Sequence, residues 1–251
     1  MRVLLTNDDG VAAPGLAALA ESARKLGEVT IVAPAHELSG VAHAVSITRP
    51  IRYKQIKCPG GEVGYAVDGT PADCVKLAVS AILPRPPELV ISGINAGNNV
   101  GINALYSGTV AAALEAAMLG LPAFAISLDD VGSADFTMAA ELAREIALRL
   151  RQRPLPTGTI LNVNVPGIAP GLIKGIKLTH QSNAAFTGQL EKRSDPKKRD
   201  YFWVIGEFQQ DPSPFSDLSA LRDGYVAITP LQFDLTDYAL FEKLKNEGWE
   251  V

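Results

Sequence analysis

Two adjacent carboxylates, Asp8 and Asp9, follow the first apolar run of the chain in MRVLLTNDDG. Open α/β sheets bind ligands at the carboxyl ends of central strands, and two like charges side by side are costly unless a cation neutralises them. Mg²⁺ and Mn²⁺ prefer such oxygen ligands. The pair therefore indicates a divalent metal site. The alternative interpretation is a simple turn, because Asp and Gly are also common turn residues.

Two further loops carry polar side chains just after predicted strands. Ser39 lies in HELSG after VTIVAP, and Asn95 lies in GINAGNN after ELVIS. Loops that follow parallel strands leave the same edge of a sheet, so Asp8, Asp9, Ser39 and Asn95 are expected to converge on one hard cation. Mg²⁺ keeps several waters, and one of them is a candidate nucleophile. For the asparagines taken singly, turn formation in a Gly-rich loop is the alternative.

A predicted helix begins at Ser107, Gly108 and Thr109 in YSGTVAAALEAA. A helix start presents unpaired backbone N–H groups and the positive end of the helix dipole, which favour an anion. A phosphate group fits this description. Ordinary N-capping by Ser or Thr explains the same residues, and both interpretations stay open for this segment alone.

Secondary-structure elements must position these residues, and the first half of the chain shows a regular pattern of them. Short β-rich runs alternate with helix-like segments, which is typical of βα units stacked into a parallel sheet. Right-handed crossovers place helices on both faces, so the pattern predicts an α/β fold. The expected elements are strands at 3–6, 29–34, 88–93 and 122–128, helices at 14–26, 70–83 and 109–119, and a strand pair within 45–67 packed beside the main sheet.

The second half continues with a long amphipathic helix capped by Ser133 and ending near Arg151. After a strand at 159–166 the runs become longer and more β-like, and a charged stretch at 191–200 is expected to form a solvated hairpin tip. The remaining expected elements are β-like runs at 172–180 and 201–208, a strand at 225–231 and a helix-like segment at 236–251.

Composition and charge exclude several classes of protein. The chain has 251 residues, of which 47% are hydrophobic and 20% charged, an ordinary globular balance. Its net charge of −4 gives no basic surface for a nucleic-acid polymer. Cys58 and Cys74 are too few for a disulfide framework. With no signal peptide and no membrane-spanning apolar run, we expect a cytoplasmic protein without a membrane partner.

Six motifs, taken in order, closely resemble the SurE (survival protein E) family. The resemblance runs from Leu4 to about Leu235 and weakens between residues 182 and 222. The motifs are NDDG, SG at Ser39, DGTPADCVKLA from Asp68, VISGINAGNN from Val90, YSGTVAAALEA from Tyr106 and GYVAITPL from Gly224.

The resemblance implies a Rossmann-like α/β fold with a β-rich extension and a carboxyl-terminal segment that reaches across to a neighbouring subunit. A single domain spanning 1–251 is implied, with its core at about 1–170 and 223–235. The extension and exchange segment fall at about 171–222 and 236–251. A homodimer or homotetramer follows as the expected assembly.

The resemblance also implies roles for individual residues. The metal ligands are Asp8, Asp9, Ser39 and Asn95, which hold one Mg²⁺ or Mn²⁺ per subunit. The substrate phosphate is held by Asn99, Ser107, Gly108 and Thr109. Asn98 matches a variable position of the family motif and is left out of the core site.

The implied activity is metal-dependent hydrolysis of nucleoside 5′-monophosphates, with Asp8 and Asp9 as the catalytic residues. Activity on 3′-monophosphates and short polyphosphate is left open. Two rival hypotheses stand beside it. In one, Asp8 is a covalent nucleophile, although the DxD spacing of aspartyl phosphatases is missing. In the other, the chain is a non-catalytic Rossmann-type nucleotide-binding module, although GxGxxG is absent after the first strand.

Overall fold

The computed structural model describes residues 1–58, 63–130, 135–184, 188–206, 209, 211 and 213–249. Eleven strands and seven α-helices lie within these residues. The strands are β1 (Arg2–Thr6), β2 (Glu28–Pro34), β3 (Arg52–Lys57), β4 (Val63–Asp68), β5 (Leu89–Ala96), β6 (Ala123–Asp129), β7 (Thr159–Pro166), β8 (Ile176–Leu178), β9 (Gln189–Ser194), β10 (Asp200–Ile205) and β11 (Val226–Gln232). The helices are α1 (Pro14–Ala23), α2 (Pro71–Leu77), α3 (Asn103–Tyr106), α4 (Gly108–Met118), α5 (Thr137–Gln152), α6 (Asp217–Arg222) and α7 (Tyr238–Asn246).

Nine strands form one sheet in the order β3-β4-β2-β1-β5-β6-β7-β11-β8. The central strands β2, β1, β5, β6 and β7 pair in parallel, whereas β3 runs antiparallel to β4 and β11 antiparallel to β7. The predicted mostly parallel α/β sheet is therefore confirmed. One detail was wrong. The strand pair within 45–67, which was expected to pack beside the main sheet, belongs to it: β4 pairs in parallel with β2 and supplies hydrogen-bond partners for the backbone of β2.

Helices cover both faces of the sheet, as predicted. Neighbouring strand residues point to opposite faces, so Leu4 and Leu5 enter different cores. The core around Leu5 takes the buried side chains of α1 and α5, including Leu19 and Ala143. The core around Leu4 takes those of α2 and α4, including Val110.

Local sequence signals explain where several helices begin and end. Thr70 and Asp73 form a reciprocal capping box at the start of α2, as their spacing predicts. Helix α1 begins at Pro14 and its final 3₁₀ turn stops at Gly27, whose φ of +140° few other residues tolerate. Helix α5 begins at Thr137 rather than near Ser133, which itself lies outside the described residues.

The β-like runs of the second half are shorter than predicted. Only Ile176–Leu178 of the run at 172–180 is a strand, because Gly175 just before it has a φ of +131°. The charged stretch does form a hairpin tip, between β9 and β10, while 207–208 of the run at 201–208 lie outside the described residues. Across the described residues, no helix combines the length and apolar character needed to cross a bilayer. The cytoplasmic location stays a prediction.

One buried carboxylate in the last turn of α4 ties this helix to α2. The side chain of Glu115 is 2% exposed and accepts hydrogen bonds from Lys76 Nζ of α2 at 2.5 Å and from His43 Nε2 at 2.9 Å. Burial alone raises the pKa of Glu115, but these two hydrogen bonds and the charges behind them hold the pKa below its ordinary value. The carboxylate therefore stabilises the fold in its charged form.

Substituting Glu115→Gln is expected to lower the free energy of unfolding at pH 7 by about 1–3 kcal/mol, because a buried hydrogen-bonded charge is lost. A depressed folded pKa stabilises the protein above the unfolded pKa and ceases to do so as the pH falls through the folded pKa. The difference between wild type and variant should therefore shrink below about pH 4.3. Urea unfolding at several pH values measures it.

Glu141→Gln is the matched control, because the half-exposed Glu141 carboxylate also pairs with two cations, Lys25 and Arg144. A surface pair of this kind contributes about 0–1 kcal/mol. Equal losses in the two variants, or a Glu115→Gln loss that does not change with pH, would contradict the assignment of Glu115.

Candidate active site

The predicted residues meet in one open pocket at the carboxyl edge of the sheet. Asp8 and Asp9 follow β1, Ser39 follows β2, and Asn95 lies at the end of β5. The pocket has a volume of about 490 Å³, within the usual range for small-molecule sites. It is lined by Asp8, Asp9, Glu37, Ser39, Gly40, Asn95, Ala96, Gly97, Asn98, Asn99, Asn103, Tyr106 and Ser107.

Asp8 is buried against the first turn of α4. Its Oδ1 accepts a short hydrogen bond from the Thr109 hydroxyl. Gly108 leaves room for the carboxylate, since a Cβ there would lie 2.8 Å from Asp8 Cβ and 2.9 Å from Asp8 Oδ2. Burial raises the pKa of Asp8, while the Thr109 hydroxyl and the backbone of Gly108 and Thr109 partly offset the rise. Gly108 and Thr109 thus lie behind Asp8 rather than in the pocket lining.

Asp9 sits in a strongly acidic environment. Burial, followed by the charges of Asp8 and Glu37, raises the pKa of Asp9 to about 6, against a lowering effect of the Ala96 N–H group, which donates to Asp9 Oδ2 at 3.1 Å. Glu37 was not predicted as a site residue. It accepts a hydrogen bond of 2.7 Å from the exposed Ser39 hydroxyl. Its position two residues before Ser39 was the only available signal.

Asn95 is fixed by its neighbours at the end of β5. The pairing of β5 with β6 shifts register between Ser92 and Asn95. Asn95 Nδ2 donates to the Gly97 carbonyl at 2.8 Å, and Asn95 Oδ1 lies 3.5 Å from the Thr109 hydroxyl. The amide oxygen therefore lies beside the same hydroxyl that contacts Asp8.

Ser107 is the N-cap of α4, because its Oγ accepts the Val110 N–H at 3.1 Å. The capping interpretation is thus confirmed. The Val110 N–H is taken up by this cap, and the backbone of Gly108 and Thr109 lies against Asp8. Of the three residues only Ser107 lines the pocket, and an anion site at Ser107, Gly108 and Thr109 stays a prediction. Asn98, which was left out of the core site, also lines the pocket and donates to Asp129 Oδ1 at 2.6 Å.

The side chains of Asp8, Asp9, Ser39 and Asn95 form a donor set that fits a hard cation. It consists of oxygen atoms only, and burial penalises the charge of both aspartates. No Lys or Arg within the described ranges forms an ion pair with Asp8, Asp9 or Glu37. The described residues also contain no group of three or more His, Cys, Asp and Glu side chains poised for a metal. Two carboxylates supplemented by a hydroxyl and an amide suit Mg²⁺ or Mn²⁺ better than Zn²⁺.

Comparison with known proteins places the chain in a family. Residues 3–188 match the family model described as Survival protein SurE. The chain belongs to the SurE family. A SurE relative, the 5′-nucleotidase SurE of Pelotomaculum thermopropionicum, is 47% identical over 249 residues, which cover 98% of this chain and 95% of the relative. The 5′-nucleotidase SurE of Moorella thermoacetica is 44% identical, with 97% and 95% covered.

A solved SurE structure shares the fold. The crystal structure of the SurE protein from Aquifex aeolicus is 38% identical and matches with a TM-score of 0.85 over 98% of this chain and 99% of that one. The SurE resemblance predicted from the six sequence motifs is therefore confirmed, and so is the large, mostly parallel sheet flanked by helices.

Proposed function

We propose that this protein is a 5′-nucleotidase that hydrolyses nucleoside 5′-monophosphates to nucleoside and phosphate. One observation carries the proposal: paired carboxylates and the start of a long helix border the same pocket. The first feature suits a cation and the second an anion, which is the combination that a phosphate monoester bound through metal requires. Relatives with this activity in their names align with nearly the whole chain.

We propose Asp8, Asp9, Ser39 and Asn95 as the ligands of one Mg²⁺ or Mn²⁺ per subunit. The oxygen-only donor set and the burial of the two charges support this assignment. When bound, such a cation polarises the phosphoryl group and lowers the pKa of water.

The protein's own groups do the remaining work. Ser107 at the positive end of α4 and the Asn99 amide, which both line the pocket, bind the phosphate and stabilise charge that develops on its oxygens. The Thr109 hydroxyl fixes Asp8 through Oδ1. Among the described residues, Asp9 uses only Oδ2 in a hydrogen bond that the structure resolves, with Ala96. Asp9 Oδ1 is therefore the better placed acceptor for the proton of the attacking water.

Substrate range and assembly extend this proposal. Activity on 3′-monophosphates and short polyphosphate is compatible with a pocket that recognises the phosphate group. A homodimer or homotetramer is supported by exposed apolar side chains on β10 and α7, among them Trp203 and Phe241. The alternative function is a nucleotide-binding module without catalysis.

A phosphate-release screen tests the function. Nucleoside 5′- and 3′-monophosphates, di- and triphosphates and polyphosphate are incubated with Mg²⁺, with Mn²⁺ or with excess chelator. We expect turnover of 5′-monophosphates that falls at least about 100-fold in chelator and returns when metal is restored, because the donor set fits a catalytic cation. Full activity in chelator would remove the metal from the mechanism. Tight nucleotide binding without turnover would favour the binding module.

A further inference from the structure

Beneath the loop that follows β5, two otherwise apolar strands carry polar side chains. Ser127 of β6 and Asn162 and Asn164 of β7 are fully buried. Asn95, Ser127 and Asn164 pair in register across β5, β6 and β7, so they form one row at the carboxyl edge of the sheet. The row begins at a proposed metal ligand and continues below the pocket.

The side chains of Ser127, Asn162 and Asn164 form hydrogen bonds with Asn99. Asn99 donates its backbone N–H to Asn164 Oδ1 at 2.7 Å and its Nδ2 to Ser127 Oγ at 2.8 Å. The Asn99 carbonyl accepts a hydrogen bond from Asn162 Nδ2 at 2.8 Å. Both backbone polar groups and one side-chain atom of Asn99 are therefore fixed by residues 28 to 65 positions away in the sequence.

A second set of contacts holds the same loop two residues later. Gly101 donates its N–H to Asp217 Oδ2 at 2.9 Å, and its carbonyl accepts from Gln181 Nε2 at 2.9 Å. The buried Asp217 carboxylate also accepts the N–H groups of Ser182 at 2.9 Å and Leu218 at 2.8 Å. Asp217 thus ties the pocket loop to α6 and to the segment before β9.

Burying polar side chains such as Asn162 costs stability, so their presence in these strands indicates a functional role. Asn162 Oδ1 has no hydrogen-bond partner within the described residues, so this buried amide is satisfied only through the N–H that it gives to Asn99. An apolar residue would suit the strand better at that position. Departures from the apolar pattern that lack a local gain are expected at functional sites.

We propose that Ser127, Asn162, Asn164 and Asp217 are positioning residues that hold Asn99 in the geometry needed to bind the substrate phosphate. The inference rests on the proposed function, in which Asn99 contacts that phosphate. Ser127 occupies one N–H of the Asn99 amide, which leaves the second N–H and the amide oxygen for the pocket.

The sharpest test is a double-mutant cycle between Ser127 and Asn99, with kinetics on a nucleoside 5′-monophosphate. Ser127→Ala should lower kcat/KM about 10-fold, in the range seen when groups that orient a ligand are removed. Ser127→Thr keeps the hydroxyl and should recover most of that loss. In the Asn99→Ala background, Ser127→Ala should have no further effect, because its action passes through the Asn99 side chain. Asn164→Leu should lower kcat/KM in the same way.

Ser22→Ala is the matched control, since it removes another buried serine hydroxyl contact, the 3.2 Å bond that Ser22 of α1 donates to Glu141, without touching the loop. It should lower the melting temperature comparably and leave kcat/KM unchanged. Two results would overturn this inference and leave the proposed function standing. One is a double variant, Ser127→Ala/Asn99→Ala, in which the two losses of kcat/KM add; the other is a Ser127→Ala variant with wild-type kcat/KM although Asn99→Ala is impaired. A wild-type protein that releases no phosphate would instead overturn the proposed function.

Discussion

Asp8→Asn is expected to lower kcat/KM for nucleoside 5′-monophosphates by about 10³-fold, or about 4 kcal/mol of transition-state stabilisation. The substitution keeps the shape of the side chain but removes the charge that a cation requires. Metal affinity, measured by calorimetry, should fall together with phosphate release. The variant should fold well without metal, because burial penalises the charged form of this carboxylate.

Asp68→Asn is the control for this substitution, since Asp68 is an exposed aspartate that pairs with Arg49 on the surface. We expect it to keep wild-type activity and metal affinity. An Asp8→Asn variant with full activity would refute the proposed metal site. An inactive variant that still binds Mg²⁺ or Mn²⁺ with wild-type affinity would move Asp8 from metal binding to another catalytic role.

Gly108→Ala is expected to lower kcat/KM by about 10²-fold, because a displacement of about 1 Å in a catalytic group can cost that much. The added Cβ would meet Asp8 Cβ at 2.8 Å on one side and Pro71 Cγ at 3.1 Å on the other. Asp8 must therefore shift out of its present position against Gly108 and Thr109. Steady-state kinetics and urea unfolding of the same samples measure the effect.

The stability of Gly108→Ala should change much less than its activity. Crowding costs about 1–3 kcal/mol, while Ala in a helix gains up to about 1 kcal/mol over Gly. Gly171→Ala provides the comparison, because nothing lies within 4 Å of a Cβ at Gly171. Wild-type kinetics in Gly108→Ala would mean that the first turn of α4 tolerates displacement and does not position Asp8.

Much of the frame could be predicted because its signals are local. The capping box at Thr70 and the alternating cores around Leu4 and Leu5 follow from spacing alone. The position of β4 between β2 and the edge strand β3 could not be predicted, because the hydrogen-bonding partner of β2 is set by long-range contacts. Helix α6 was missed since six residues are too few to show a helical period.

The residues of the site also fall into a group that the sequence predicts and a group that it does not. Asp8, Asp9, Ser39 and Asn95 follow strands that pair in parallel, so topology alone brings them to one pocket. Ser127 and Asn164 were overlooked inside β6 and β7. The two asparagines of TILNVNVP, two positions apart in a buried strand, were a visible signal, but their partner, Asn99, lies 65 residues before Asn164.

The residues that hold the Asn99 loop are synthesised after the residues that they position. Every proposed metal and phosphate ligand is encoded before residue 110, while the groups that hold Asn99 extend to Asp217 in α6. During synthesis from the amino terminus, the ribosome therefore releases the ligands long before the residues that orient one of them. A nascent chain that ends before α6 carries the ligands but lacks the tie at Gly101, so the pocket gains all its supporting contacts only after residue 217 has been added.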